Sequence, residues 1–387
     1  MNTKDLARNL EDYIIQTRRH FHRYPELSFE EYKTTDYIAA ELDRLGIPYI
    51  RPLETGLIGT IEGRGPGKTV ALRADIDALP VTEVSDVPYR SQNPGVMHAC
   101  GHDAHAAMLL GAARILNGLK DQFSGKVLLV FQPAEEIGKG AQALISAGGW
   151  LEEVDSFFGA HIWSNMPSGT VSVEVGPRMA ATDRFSIEIK GKSGHGSMPD
   201  QGIDAVLTAA AVIMNLQTLV SRETSPLDPL VVSVGKIESG TAWNILSGSA
   251  RLEGTCRCFS KEIARTIEED FRRIVEGTAR TFRAQASVNY ERVGVPLIND
   301  EASSLLAEQA AKKIYEPSQI IRSPATTGGE DFAYYLQDKP GLFAFIGCSD
   351  PAIGTDWPHH HERFNIDESV LTDGSALYAQ YALDFLA

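Results

Sequence analysis

The stretch from residue 98 to residue 105 carries the densest group of metal-binding side chains in the sequence. It contains His98, Cys100, His102 and His105. A thiolate and imidazoles at such close spacing suit a borderline metal such as zinc, with manganese or cobalt bound more weakly. A helical pattern begins at once, so we expect Cys100 and His102 in the turn that enters the helix. The alternative is a buried cysteine beside a histidine at a helix start, but the density of ligands favours a metal site.

A pair of carboxylates, Glu135 and Glu136, follows the apolar run 126–131. Open α/β sheets place their ligands at the carboxyl ends of strands, and this pair has that position. One carboxylate of such a pair can bind a metal while its neighbour accepts a proton from the attacking water. Alone, an acidic pair is more often a solvated surface loop. The pair Glu135 and Glu136 therefore indicates a metal site only if other metal ligands lie close to it.

Two further segments supply histidines. His161 lies near the end of the apolar run 156–162, and the triplet His359, His360 and His361 follows Trp357-Pro358. A histidine at a strand end is often a satisfied core residue, and a triplet is often a solvated loop. Four separate segments nevertheless offer nitrogen, sulfur and oxygen ligands. Their agreement predicts a metal centre.

Short apolar strands alternate with helical patterns in both end regions of the chain, which predicts an α/β fold with a mixed sheet flanked by helices. The middle region instead has the order β-α-β-β-α-β, which is the ferredoxin-like arrangement. We therefore expect an inserted α+β domain at 182–293 and a discontinuous catalytic domain formed by 1–181 and 294–387. Ser28, with Glu31 three residues later, resembles a capping box that starts a helix.

The chain of 387 residues is longer than most domains with a single hydrophobic core, which agrees with two domains. The net charge of -15 disfavours nucleic acid and an anionic membrane surface as partners. The first residues lack a signal-peptide core, and no apolar run reaches membrane-spanning length. Four cysteines are too few for a disulfide scaffold in a chain of this length. We expect a cytoplasmic protein.

Eight motifs are spread almost from end to end of the chain. They are RRHFHRYPELSFEE (18–31), RADIDALP (73–80), MHACGHDAH (97–105), FQPAEE (131–136), GKSGHGSMP (191–199), GTAWNI (240–245), GTCR (254–257) and GGEDFAYY (328–335). Together they resemble the M20 family of metallopeptidases, specifically its amidohydrolase branch of hippurate hydrolases, N-acyl-amino-acid deacetylases and indole-acetyl-amino-acid hydrolases.

The resemblance implies two divalent metal ions, for which Zn, Mn, Co and Ni all suit the ligands. The positions that match the family's metal ligands are Cys100, His102, Glu136, His161 and His360. His360 is selected by counting back from Phe364 against the family pattern H-x-P-x-F; because Glu362 replaces the usual proline, His359 and His361 remain alternatives. Glu135 matches the general acid/base, and Asp77 matches a carboxylate that orients a metal ligand.

For the inserted domain, the resemblance implies a lid that also dimerises, so that the protein would be a homodimer or a higher homo-oligomer. His195 matches a residue that stabilises the developing oxyanion, often in the partner's site. Asn244 and Arg257 match groups that hold the free carboxylate of the substrate. From the residues alone, each could equally be a solvated turn or strand residue.

The predicted activity is metal-dependent hydrolysis of the amide bond of small N-acyl amino acids, which releases a carboxylic acid and a free amino acid. A dipeptidase or carboxypeptidase of the same family is the nearest alternative. A non-catalytic, metal-stabilised binding protein is another, although it would need no base at Glu135. A redox pair of Cys256 and Cys258 is disfavoured, because alternate residues of a strand lie about 6.5–7 Å apart, too far to bridge. The acyl group and the amino acid stay open.

Overall fold

The structure, a computed structural model, describes residues 2–387 and contains two compact units. The first unit comprises Met1–Gly176, Ile298–Pro324 and Asp331–Ala387, and the second comprises Pro177–Leu297 and Ala325–Glu330. The sequence analysis places 325–330 with the end regions. The structure assigns this segment to the second unit, because Thr326 forms a bridge with Met179 and the Ala180 N–H donates to the Gly328 carbonyl at 3.0 Å.

The α-helices of the described residues are α1 (Thr3–Arg8), α2 (Glu11–Arg23), α3 (Tyr32–Leu45), α4 (His102–Gly118), α5 (Gly140–Ser146), α6 (Ala205–Thr218), α7 (Lys261–Thr281), α8 (Glu301–Ala311) and α9 (Val370–Phe385). The strands are β1 (Tyr49–Ile50), β2 (Leu57–Glu62), β3 (Thr69–Asp75), β4 (Lys126–Gln132), β5 (Ser156–Pro167), β6 (Val171–Ser172), β7 (Gly176–Met179), β8 (Ala181–Lys190), β9 (Gly194–His195), β10 (Leu230–Ser239), β11 (Ile245–Leu246), β12 (Ser249–Cys258), β13 (Gln285–Gly294), β14 (Leu297–Asn299) and β15 (Gly341–Ser349).

The first unit is built on a seven-stranded mixed sheet with the order β1-β2-β4-β3-β5-β15-β6. Strand β3 pairs in parallel with β4 and β5, and β5 pairs in parallel with β15. All residues of β3 are buried, as expected for a central strand whose two faces are covered. Helix α4 contacts β3, α2 and α9 and buries nearly its whole length. The predicted α/β fold with a mixed sheet and flanking helices is confirmed.

The second unit contains a four-stranded antiparallel sheet with the order β10-β12-β8-β13. Its elements follow one another as β8, α6, β10, β12, α7 and β13, which is the β-α-β-β-α-β order. Helix α7 is capped by Ser260, whose hydroxyl accepts the N–H groups of Glu262 and Ile263. Its buried residues Phe271 and Val275 pack into a core separate from that of the first unit.

Helix α6 and the π-helical turn after it, Ala205–Glu223, are together long and apolar enough to cross a membrane by length and composition. The sequence analysis expected no such segment. The mean hydropathy of its best window is 1.3, and 33% of that window is buried. Ala209, Val212 and Leu216 belong to the core of the second unit. One helix of this kind, packed on a core, is a weak indication of a membrane span.

The expected capping box at Ser28 and Glu31 is wrong. Helix α3 begins at Tyr32 with Glu31 in the N-cap position, but no side chain caps it. The Ser28 hydroxyl instead donates to Asp77 Oδ2 at 2.7 Å, and Glu31 Oε1 accepts the N–H of Ala134 at 2.8 Å. The side chains of Ser28 and Glu31 therefore form hydrogen bonds with residues distant in the sequence instead of capping α3.

Candidate metal centre and active site

Glycine at position 101 allows the chain to turn between the first two predicted metal ligands. Gly101 precedes α4 with a φ of 95°, a conformation that side chains with a Cβ rarely adopt. A Cβ there would lie 3.4 Å from Ile162 Cβ, in ordinary contact, so the dihedral angle rather than space requires glycine. The turn places Cys100 before the helix and His102 at its first position, as predicted.

His102 is buried and oriented by Asp77. Its Nδ1 donates to the Asp77 backbone carbonyl at 2.9 Å and lies 3.2 Å from Asp77 Oδ1. Its Nε2 therefore faces the acidic pair, 3.7 Å from Glu136 Oε1 and 3.9 Å from Glu135 Oε2. A histidine whose Nδ1–H is held by a carboxylate and a carbonyl presents Nε2 to a metal in the usual way.

His161, on β5, is oriented in the same manner. Its Nδ1 lies 2.5 Å from the Ile162 carbonyl oxygen, so Nδ1 carries the proton and Nε2 has a free lone pair. That Nε2 lies 3.5 Å from Cys100 Sγ. Cys100, His102 and His161 thus form one group whose ligand atoms lie within 4.8 Å of one another.

Within the histidine triplet, His360 is the residue that lies in a compact group with other predicted ligands. His360 forms a second compact group with Cys100 and Glu136, and its Nε2 lies 3.5 Å from Glu136 Oε2. The Nε2 of His359 accepts the N–H of Ser164 at 3.1 Å. His361 stacks on Trp357, and its Nδ1 accepts the Arg363 N–H at 3.1 Å.

The five predicted ligands therefore gather in the first unit, and their chemistry fits divalent cations. Within residues 2–387, His102 Nε2 and Glu136 Oε1 are buried atoms without a hydrogen-bond partner. Burying polar atoms unpaired is unfavourable, so such atoms point to a missing partner. Cys100 belongs to two ligand groups, and sulfur, nitrogen and oxygen donors together suit zinc, manganese, cobalt or nickel.

The pKa values of Cys100, Glu136 and His102 are shifted towards the protonated form. Burial instead lowers the pKa of His161 and His360. Burial raises the pKa of the Cys100 thiol well above its ordinary value and that of Glu136 to about 7. Burial alone would lower the pKa of His102, but the Asp75 and Asp77 carboxylates outweigh it and raise that pKa well above its ordinary value. A cation among these groups would replace protons as the source of positive charge and stabilise the thiolate and carboxylate.

Glu135 and Asp77 lie beside the ligand groups. Asp77 Oδ1 accepts the Glu135 N–H at 3.1 Å, and Asp77 Oδ2 accepts the Glu136 N–H at 3.0 Å. The Glu135 carboxylate is 11% exposed and forms a compact group with His102 and Glu136. It is thus close enough to exchange a proton with a molecule bound at the cluster.

A buried ionic network that the sequence motifs did not predict lies beside the ligands. Asp75 lies 2.5 Å from His105 Nδ1 and 2.7 Å from Arg73 Nη1. Arg73 Nη2 also lies 2.9 Å from Asp331. His105 Nε2 accepts the Ile162 N–H at 2.8 Å, so both of its nitrogens are engaged within the protein. Asp75 and Asp331 lie in the motifs RADIDALP and GGEDFAYY. Nothing in either motif indicates that both carboxylates form ion pairs with Arg73.

His195, Asn244 and Arg257 belong to the second unit. His195 is exposed, and its Nδ1 accepts the Ser197 N–H at 3.1 Å, so that its Nε2 carries the proton of the neutral ring. Asn244 is also exposed, and its backbone carbonyl accepts the Gly196 N–H at 2.8 Å. Arg257, on β12, is partly buried and donates to the Thr182 hydroxyl.

Known proteins similar to this chain include a deacetylase, a carboxypeptidase and a metal-binding peptidase. An N-acetyl-L-cysteine deacetylase of Bacillus subtilis (strain 168) is 44% identical over 368 residues, 95% of this chain and 86% of the relative. Thermostable carboxypeptidase 2 of Saccharolobus solfataricus is 39% identical over 386 residues, 99% of this chain and 98% of the relative. A solved Bacillus subtilis structure, described as a dinuclear metal binding peptidase from the M20 family, has a TM-score of 0.86 at 37% identity and covers 98% of this chain and 99% of its own.

The sequence profile of peptidase family M20/M25/M40 matches residues 71–384, which contain all five gathered ligands. The chain belongs to peptidase family M20/M25/M40 and is an amide-bond hydrolase of that family.

Proposed function

We propose that the protein hydrolyses the amide bond of small N-acyl amino acids with two divalent metal ions in the first unit. One observation carries the proposal: Cys100, His102, Glu136, His161 and His360 gather around unpaired buried ligand atoms beside Glu135. The relatives named as deacetylases support this class of substrate. A binding protein would need no carboxylate at the position of Glu135.

The cations would polarise the substrate carbonyl and lower the pKa of water towards neutrality. Glu135 is proposed to accept the proton of the attacking water and then to donate it to the departing amine, which would otherwise leave as a poor anion. Asp77 keeps His102 and the backbone of the Glu135–Glu136 turn in place through the hydrogen bonds described above. The reaction therefore needs little rearrangement of the first unit.

The second unit is proposed to act as the lid and to supply the substrate contacts. The exposed His195 would donate its Nε2–H to an oxyanion, and such donors are usually the largest electrostatic contribution to catalysis. Arg257 would hold the substrate carboxylate in a planar, bidentate pair that lysine does not reproduce. Asn244 would donate its amide to the same carboxylate.

A homodimer formed through the second unit is part of the proposal. Helix α6 exposes Leu207 at 55% and Met214 at 70%, although both are apolar. Strand β10 is an edge strand of its sheet, and Val231 and Ile237 on it are also exposed. Exposed apolar residues beside an unpaired strand edge are suited to a second copy of the same surface.

A carboxypeptidase is the second candidate, because thermostable carboxypeptidase 2 aligns over nearly the whole chain at 39% identity. Both reactions need a free carboxylate on the substrate, so Arg257 and Asn244 suit either. The two differ only in whether an acyl group or an aminoacyl residue precedes the scissile bond. The substrate panel below separates them.

The test is a panel of substrates given to metal-loaded protein, in which the acyl group and the amino acid vary independently. The panel contains acetyl, benzoyl, phenylacetyl and indole-acetyl amino acids together with dipeptides. We expect hydrolysis of N-acyl amino acids to exceed that of dipeptides. Activity should disappear on dialysis against a chelator and return with Mn, Co or Zn. Full activity of the metal-free protein, or turnover of dipeptides alone, would contradict the proposal.

A further inference from the structure

The turn that carries Glu135 is held by buried carboxylates at three consecutive backbone N–H groups. The Ala134 N–H donates to Glu31 Oε1 at 2.8 Å. The next two N–H groups donate to the two oxygens of Asp77, at 3.1 Å for Glu135 and 3.0 Å for Glu136. Two carboxylates from distant parts of the sequence therefore define the path of this short turn.

Ala134 needs such support, because its backbone is left-handed. Its φ is 56°, a conformation that is unfavourable for residues with a Cβ and that persists only where the surroundings impose it. Ala134 is fully buried. Its carbonyl accepts the Gly140 N–H at 3.1 Å, while its own N–H has Glu31 as acceptor. Glu31 thus binds the strained residue directly before the proposed base.

Glu31 is itself firmly placed. Its exposed fraction is 0%, and the segment before it runs beside the segment after β3, where Leu27 bridges Ala78 and the Ala78 N–H donates to the Glu26 carbonyl at 2.8 Å. Within residues 2–387, Glu31 belongs to none of the compact metal-binding groups. Burial, followed by the Asp77 carboxylate, raises the pKa of Glu31 to about 7. A neutral oxygen acceptor should therefore also be tolerated at this position.

We propose that Glu31 is a positioning residue of the active site: its side-chain oxygen holds the Ala134 N–H, keeps Ala134 left-handed, and so sets the direction of Glu135. This inference rests on the proposed function, because it assumes that Glu135 is the base. Glu31 would act through backbone geometry, without touching the substrate. What matters is the reach of its oxygen and not its charge.

Three substitutions separate reach from charge. Glu31→Gln keeps an oxygen at the same reach and removes the charge, so kcat should stay near the parent value. Glu31→Met keeps a similar volume without an acceptor, and we expect kcat to fall by about 100-fold, the effect of a displacement of roughly 1 Å in an active site. Glu31→Asp keeps the charge but shortens the reach, and it should lose part of that factor. Metal content and KM should change little, and the exposed neighbour serves as a control in Glu30→Ala.

A rescue experiment tests the backbone directly. Glycine adopts a positive φ without strain, so Ala134→Gly added to Glu31→Met should restore part of kcat. A merely stabilising role of Glu31 would alter the melting temperature without this recovery. If Glu31→Met does not fold, Glu31→Asp decides the question, since it retains the buried carboxylate. Parent kcat in Glu31→Asp, or equal losses in Glu31→Gln and Glu31→Met, would overturn the inference.

The same assay includes Glu135→Gln, so that two failures can be told apart. If the parent protein hydrolyses none of the N-acyl amino acids, the proposed function fails. If it hydrolyses them and Glu135→Gln keeps the parent rate, Glu135 is not the base and the role of Glu31 fails with it. If Glu135→Gln is inactive while Glu31→Met and Glu31→Asp retain the parent kcat, only the inference about Glu31 is lost.

Discussion

The proposed functional residues of the two units differ in how firmly their own unit holds them. In the first unit, His102, His161 and Asp77 are buried and engaged in hydrogen bonds. His360, at 55% exposure, is the exception among the ligands. In the second unit, His195 and Asn244 are exposed and lie on short strands or turns. The first region is held by hydrogen bonds within its own unit, whereas His195 and Asn244 of the second are exposed to solvent.

This difference separates two kinds of contribution to catalysis. Side chains that are fixed in advance lose little conformational entropy when the reaction begins, and they suit metal binding and proton transfer. Exposed donors must be ordered when the substrate binds, and they suit recognition. Substitutions in the first unit should therefore affect the chemical step or the stability of the fold. Substitutions at the exposed positions should affect turnover while leaving stability unchanged.

The largest effect is expected for Glu135→Gln. The amide keeps the shape of the side chain but accepts no proton, so kcat should fall by about 10²–10⁴-fold, the usual contribution of a general base. Because Glu136 and the other ligands remain, metal content measured by elemental analysis should equal that of the parent. A rate close to the parent would remove Glu135 as the base. A loss of metal would instead show that Glu135 is a ligand.

A smaller loss is expected for His195→Ala in the second unit. Removal of one oxyanion donor costs about 10²–10³ in kcat in well-studied enzymes. Because His195 is exposed, the melting temperature should not change. Ser197→Ala is the matched control, since the backbone N–H of residue 197 still binds His195 Nδ1 and only the hydroxyl contact at 2.9 Å is lost. Parent turnover in His195→Ala would confine catalysis to the first unit.

The parts of the site that the sequence predicts are those encoded by neighbouring residues. Cys100, Gly101 and His102 enter α4 within one turn, and Glu135 and Glu136 follow a buried strand, so residue type and local position were enough. The fold followed from apolar periodicity for the same reason. Local patterns are visible in a single sequence.

The missed parts depend on contacts between distant residues. Glu31 and Ala134 lie 103 positions apart, and Arg73 and Asp331 lie 258 apart. A carboxylate three residues after a serine can cap a helix or accept a remote N–H, and both choices have the same local pattern. Burial decides between them, because Ser28 and Glu31 face Asp77 and Ala134 in the folded unit. Sequence periodicity alone carries no such information.

The smallest predicted effect concerns stability and pH, and it lies at His98 in the first unit. His98 is 1% exposed, and within the described residues neither of its ring nitrogens has a hydrogen-bond partner. Burial lowers the pKa of His98 from 6.5 to about 4. Between these two pH values the unfolded chain binds more protons at this residue than the folded protein does. The stability of the folded state must therefore rise with pH across this window and fall as the pH drops.

His98→Leu removes this dependence, because leucine does not titrate. The free energy of unfolding, measured by denaturant titration between pH 4 and 6.5 in a chelator, should vary less steeply with pH, by up to about 1.4 kcal/mol per pH unit. The chelator matters, since metal binding is itself pH-dependent. Equal slopes of the unfolding free energy against pH for the parent and His98→Leu would mean that His98 binds protons equally in the folded and unfolded states. The contrast between buried and exposed residues would then not hold for His98.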